Sequence, residues 1–171
     1  SAVAAEHETI RSCVHVLGHA SSTGSMLAAA AATLGCVSET GRRDSIIGEG
    51  GVQSLLPLLG RGDDGETHAA RTLCSLAIDS GSHRALSEGL AAMVSIASSA
   101  TSATSAGEFA PAAAMTTIHR MASGGVEAAQ HAIACSCEGV SLLVHRLNGS
   151  GVEQRESACS LRHLCGRAEA Q

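Results

Sequence analysis

Three groups of residues in this chain have types and spacings that could do chemistry. His131, Cys135 and Cys137 bring an imidazole and two thiols together along the chain. Soft ligands at helical spacing suit zinc, but a closed site needs a fourth ligand, and His145 is the only one nearby. Cys159 and His163 stand four residues apart, so on a helix they face the same way and could form a thiolate–imidazole pair. No third residue is placed to orient that imidazole. Gly60-Arg61-Gly62-Asp63-Asp64-Gly65 matches a dinucleotide-binding string. Such a loop must follow a β-strand, and a Leu-rich helical pattern precedes this one. Asp63, Asp64 and Glu66 read instead as a turn and an acidic helix start. There is no nucleophile elbow, phosphate loop or paired-His helix. The expectation is a chain that is not an enzyme and holds no metal and no cofactor.

The triplet Arg61-Gly62-Asp63 also resembles an integrin-binding string, which we ascribe to chance because no secretion signal opens the chain. Composition narrows the elements that must carry these residues. Hydrophobic residues make up 44% of the 171, yet aromatics make up 1%: Phe109 is alone, with no Trp or Tyr. A core of Ala, Leu, Val, Ile, Met and Cys suits close helix-on-helix packing, whereas a β-sandwich draws on aromatic and β-branched strands. All 11 basic residues are Arg, and the net charge of −5 argues against a nucleic-acid surface. The absence of lysine is ascribed to coding bias, with avoidance of ubiquitin acceptor sites as the functional alternative. Seven cysteines without a disulfide spacing imply reduced, mostly buried thiols, hence an intracellular, reducing and by extension cytoplasmic location. The apolar run from Met26 to Ala32 is too short to span a bilayer, so no membrane insertion is expected.

The chain repeats itself. Gly50-Gly51-Val52-Gln53-Ser54-Leu55-Leu56-Pro57-Leu58-Leu59, a polar turn, and Ala69-Ala70-Arg71-Thr72-Leu73-Cys74-Ser75-Leu76 recur 88 residues later as Gly139 to Leu147 and Ser157 to Leu164. A further copy of the second half, Ala30 to Val37, lies 39 residues earlier. Four helical units follow, at 6–50, 51–89, 90–139 and 140–171, with a Ser/Ala/Thr-rich loop inserted at 98–107 and Pro111 opening the helix after it. In the first unit the helices are expected at 6–19 and 25–37. Units that cannot bury their apolar faces alone stack into a solenoid.

Ile47 to Leu59, with Ala69 to Leu76, resembles an armadillo repeat. In that family a short first helix ends at a Gly-Gly or Gly-Ala break. A second helix carries a Leu-Leu pattern, and a third reads Ala-Ala-x-x-Leu-x-x-Leu. The resemblance is strongest in the second unit and good in the fourth. It implies an all-α, right-handed α-solenoid of about four armadillo-type repeats. The third helices would line a concave groove that grips an extended segment of a partner protein.

Helical geometry separates the groove face from the core face. If Ala69, Ala70, Leu73 and Leu76 are buried, Thr67, Arg71 and Ser75 face the other way. The matching residues are Ala28, Ala32 and Cys36 in the first unit, Ala112, Thr116 and Arg120 in the third, and Arg155, Cys159 and His163 in the fourth. Nuclear-import adaptors of the family carry a Trp and Asn ladder at the last two places of each set. Here the pairs are Arg71/Ser75, Thr116/Arg120 and Cys159/His163, so binding of basic import signals is rejected. The expected partner-binding groove is thus Thr67, Arg71, Ser75, Thr116, Arg120, Arg155, Cys159 and His163, and its arginines suit an acidic or phosphorylated extended segment. Two other roles fit the sequence: a structural subunit flanked by neighbouring subunits of a large assembly, and the substrate-recognition part of a ubiquitin ligase.

Overall fold

In a computed structural model the protein is described at residues 2–19, 21–98, 109–148 and 151–168. Eleven α-helices and no strand occur among the described residues: α1 (Ala2–Gly18), α2 (Gly24–Glu39), α3 (Arg43–Gly48), α4 (Gly51–Leu55), α5 (Asp64–Leu76), α6 (His83–Glu88), α7 (Leu90–Ser98), α8 (Phe109–Ser123), α9 (Glu127–Cys135), α10 (Cys137–Arg146) and α11 (Val152–Ala168). The inserted loop expected at 98–107 lies, but for Ser98, outside the described residues.

Local chemistry sets the element ends. The Thr23 hydroxyl accepts from the Met26 N–H and caps α2. At α5, Asp63 Oδ1 accepts from Glu66 N–H at 3.1 Å, while Glu66 Oε2 accepts from Gly62 N–H at 2.9 Å. This reciprocal arrangement satisfies two otherwise orphaned donors. Arg61 bonds Asp63 at 3.0 Å, and that bond is the main reason the Asp63 carboxyl is held below its ordinary range. The acidic helix start is therefore observed. Gly50 sits at φ +78° just before α4, in the left-handed region that glycine adopts without a Cβ penalty.

The Leu-rich helix of the second unit is shorter than its apolar stripe suggests. α4 ends at Leu55 and the chain continues as a 3-10 turn, Leu56–Leu58. Pro57 has no N–H to give to an α-helical bond, so the helix tightens there.

The four helices α2, α5, α8 and α11 stack side by side in chain order. Behind them α1 meets α4 and α7 meets α10, while the shorter α6 packs on α9. A single buried cluster of Ala, Leu, Ile, Val and Met runs from Ile10 to Leu143. Ala69, Ala70, Leu73 and Leu76 all lie in it, as their spacing required. Cysteine does not. Cys36, Cys135, Cys137 and Cys165 are exposed, and Cys13, Cys74 and Cys159 are half-buried. The expectation of mostly buried thiols is overturned, because Ala and Leu fill the inter-helix space and leave the thiols at its margin. No helix among the described residues is long and apolar enough to cross a membrane.

Candidate functional site

The eight sequence-selected residues fall on three of the stacked helices: Thr67, Arg71 and Ser75 on α5, Thr116 and Arg120 on α8, and Arg155, Cys159 and His163 on α11. None of the eight is buried. Ala28, Ala32 and Cys36 on α2 are likewise uncovered. Spacing of one helical turn puts each set on one face, and the stacking brings the sets alongside one another.

Their partners differ. Arg71 pairs with Glu39 at the end of α2 at 3.0 Å. Both side chains are about three-fifths exposed (62% and 59%), so solvent screens the pair and the bond is readily exchanged. Arg120 donates from Nη1 to the Cys74 carbonyl, in the last turn of α5, and the same nitrogen lies 3.3 Å from Cys74 Sγ. A cation there meets the negative end of the helix dipole. Ser75 Oγ accepts from Ser38 Oγ at 2.9 Å, and Thr116 Oγ1 donates to its own helix at Ala112. Arg155 and His163 are exposed.

Burial pushes the Cys74 thiol above its ordinary range; the Arg120 charge and a hydrogen bond from Thr117 act against this. A thiol held protonated in this way is a poor nucleophile. Cys159 meets Arg162 Nη2 at 3.7 Å, and no hydrogen bond joins it to His163 among the described residues. His131 approaches Cys135, with Nε2 at 3.5 Å from Sγ, but Cys137 lies beyond the break at Ser136, at the start of the next helix. Ser136 ends α9 and caps α10, its hydroxyl accepting from Gly139 N–H at 3.0 Å. No group of three metal-ligating side chains comes together among the described residues.

Sequence reasoning passed over a second column of polar residues, one place after the middle groove position of each helix. Thr33, Thr72, Thr117 and Ser160 all carry hydroxyls. Thr72 is buried, and its Oγ1 proton is shared between the His68 carbonyl of its own helix at 2.8 Å and the Ala31 carbonyl of α2 at 3.0 Å. Gly35 makes that approach possible, since a Cβ there would lie 2.9 Å from Thr72 Oγ1. Thr117 Oγ1 donates to its own helix at Ala113 at 2.8 Å, and Ser160 shares a 2.8 Å bond with His119 Nδ1. Aligning the four copies residue by residue would have shown the column, because a hydroxyl recurs at one place.

Solved structures share this arrangement. A designed armadillo repeat protein matches with a TM-score of 0.70 at 18% identity, over 91% of this chain and 64% of that one. The fold is an armadillo-like helical repeat. Two engineered proteins from the Northeast Structural Genomics Consortium also match: one at TM-score 0.68 and 21% identity over 91% of this chain and 37% of that one, the other at 0.65 and 24% over 91% and 62%. The chain thus spans between 37% and 64% of the lengths of these armadillo-like and engineered structures. No protein-family model and no curated protein matches the sequence.

Proposed function

We propose that this armadillo-like chain is a non-catalytic protein-interaction scaffold, built of four repeats, that holds an extended partner segment along the face formed by α2, α5, α8 and α11. The observation that supports it is the shared, unburied face of Thr67, Arg71, Ser75, Thr116, Arg120, Arg155, Cys159 and His163 across adjacent helices. An extended segment has unpaired backbone groups and alternating side chains, and a row of parallel helices offers donors at regular intervals to meet them.

The face favours an acidic or phosphorylated segment. Arg155 is exposed, Arg71 can exchange its screened carboxylate partner, and Arg120 is fixed to the end of α5 with other N–H groups left to donate. The test is fluorescence anisotropy with a labelled Glu-rich peptide and a Lys-rich control. The acidic peptide should bind, and Arg71→Ala with Arg155→Ala together should weaken it roughly tenfold, or about 1.4 kcal/mol. Unchanged affinity in the double variant, or preference for the Lys-rich peptide, refutes the acidic-segment reading.

A further inference from the structure

His131, Cys135 and Cys137 take no part in the core or in the groove face. Cys135 is the last residue of α9, and Cys137 is the first of α10. Both thiols are exposed, as is the His131 ring one turn before Cys135. His131 Nε2 lies 3.5 Å from Cys135 Sγ, and Nδ1 lies 3.8 Å from it. The three do not gather into a set that could hold a metal ion, so what the cluster offers is the chemistry of two thiols beside a base.

Ser136 alone separates the thiols, and the helix breaks there. Its backbone stands at φ −86° and ψ 105°, short of full extension, and its hydroxyl caps α10 through the Gly139 N–H. Two Cα atoms flanking one fully extended residue are at most about 7 Å apart. The bend at Ser136 brings those of Cys135 and Cys137 nearer, into the range of roughly 4.4–6.8 Å that a disulfide spans. A helix running unbroken through these residues would turn the two side chains about 200° apart around its axis. Exposed side chains change rotamer within nanoseconds, so the sulfurs on either side of the break can turn toward each other.

We propose that Cys135 and Cys137 form a thiol–disulfide exchange site served by His131, with a small-molecule disulfide of the glutathione class as oxidant. The imidazole accepts the Cys135 thiol proton as Sγ attacks one sulfur of that disulfide. The external S–S bond breaks, a mixed disulfide forms on Cys135, and the departing thiolate takes the proton from the imidazolium. Cys137 Sγ then gives its proton to solvent and attacks Cys135 Sγ, expelling the second small thiolate, which is protonated by solvent. Two protein thiols become one disulfide, and one external disulfide becomes two thiols. Cys135 takes the first step because the imidazole lies against it, and Cys137 resolves. An exposed disulfide closing so small a ring is of the labile kind, so excess small thiol reverses the exchange. None of the three residues belongs to the groove set, and the exchange does not require the groove to be filled.

Trypsin releases both thiols on one peptide, Met121 to Arg146, which holds no other cysteine. The whole chain is reduced, exposed to glutathione disulfide over a time series, quenched, alkylated, digested and read by mass spectrometry. That peptide should lose two hydrogens and escape alkylation, and excess reduced glutathione should return it to the dithiol. Early samples should carry one glutathione on Cys135 ahead of Cys36 and Cys165, which are exposed as well. Cys137→Ser should strand the glutathione on Cys135. His131→Gln should slow its arrival at least roughly tenfold while Cys165 reacts as before. All three positions are exposed, and far-UV circular dichroism checks that the variants keep their helices. A peptide that stays a dithiol, or that gathers two glutathiones without closing, would overturn the exchange site. An unchanged rate in His131→Gln would overturn the role given to the imidazole.

Discussion

The seam between α2 and α5 and the seam between α8 and α11 use equivalent places but hold their helices differently. At the first, Gly35 lets the helices approach until the Thr72 hydroxyl reaches a main-chain carbonyl, and Ser38 bonds Ser75 across the same gap. At the last, His119 stands where Gly35 stood. Its ring fills the gap, and the helices are joined through side chains: His119 to Ser160 at 2.8 Å, with the Glu156 carboxylate 3.9 Å from Nε2. Burial follows the same gradient. Leu34 and Leu73 are almost fully buried, whereas Leu161, their counterpart on α11, is only partly so. A small residue at the seam lets backbone and core do the joining. A large one hands the task to side chains.

The largest test of that contrast compares Leu34→Ala with Leu161→Ala by urea unfolding. Leu34→Ala should cost about 2–5 kcal/mol, as expected for a buried leucine. Leu161→Ala should cost less than half as much, because less packed surface is lost. Equal costs would mean that both seams are equally tight and would break the comparison. Gly35→Val comes next. The added Cβ must displace Thr72 Oγ1, and overpacking of this kind costs about 1–3 kcal/mol, read as a lower thermal midpoint. An unchanged midpoint would show that α2 and α5 have room to separate.

The smallest effect involves no stability at all. Thiolate is the species that reacts, and burial raises the Cys74 pKa, so Cys74 at the α5–α8 seam should alkylate slowly. Because that pKa is raised, its rate should still be climbing at pH values where ordinary thiols have levelled off. Exposed Cys165 on α11 should label first. Pulsed alkylation read by mass spectrometry orders the two, and equal rates at every pH would contradict the burial gradient.

The apolar scaffold was legible because helical period and burial coincide. Ala69, Ala70, Leu73 and Leu76 could be placed in the core from spacing alone, and Pro111 in a first helical turn from its chemistry. The face opposite them could be inferred by geometry, which is why Thr67, Arg71 and Ser75 lie together unburied. What spacing could not reveal was how polar groups are satisfied. Thr72 looks like a surface residue until Gly35, 37 positions away, opens a path to a carbonyl. Arg120 reads as a free cation until the end of α5 arrives beside it. Cysteine misled for a related reason, since its affinity for interiors is real but alanine competes better where helices lie close. Pro57 was in plain view, and its apolar neighbours outweighed it in the reading.

The bond from Thr72 to the Ala31 carbonyl bears on how such a chain can vary. A side-chain partner is lost when its codon changes, but a main-chain oxygen is supplied by every amino acid. Position 31 can therefore drift among residues small enough to fit while the joint keeps its polar contact. At the far end, replacing Ser160 or His119 removes a partner outright, and the two must change together. Mutational history should then be written unevenly along the chain, with independent changes near its beginning and paired changes near its end.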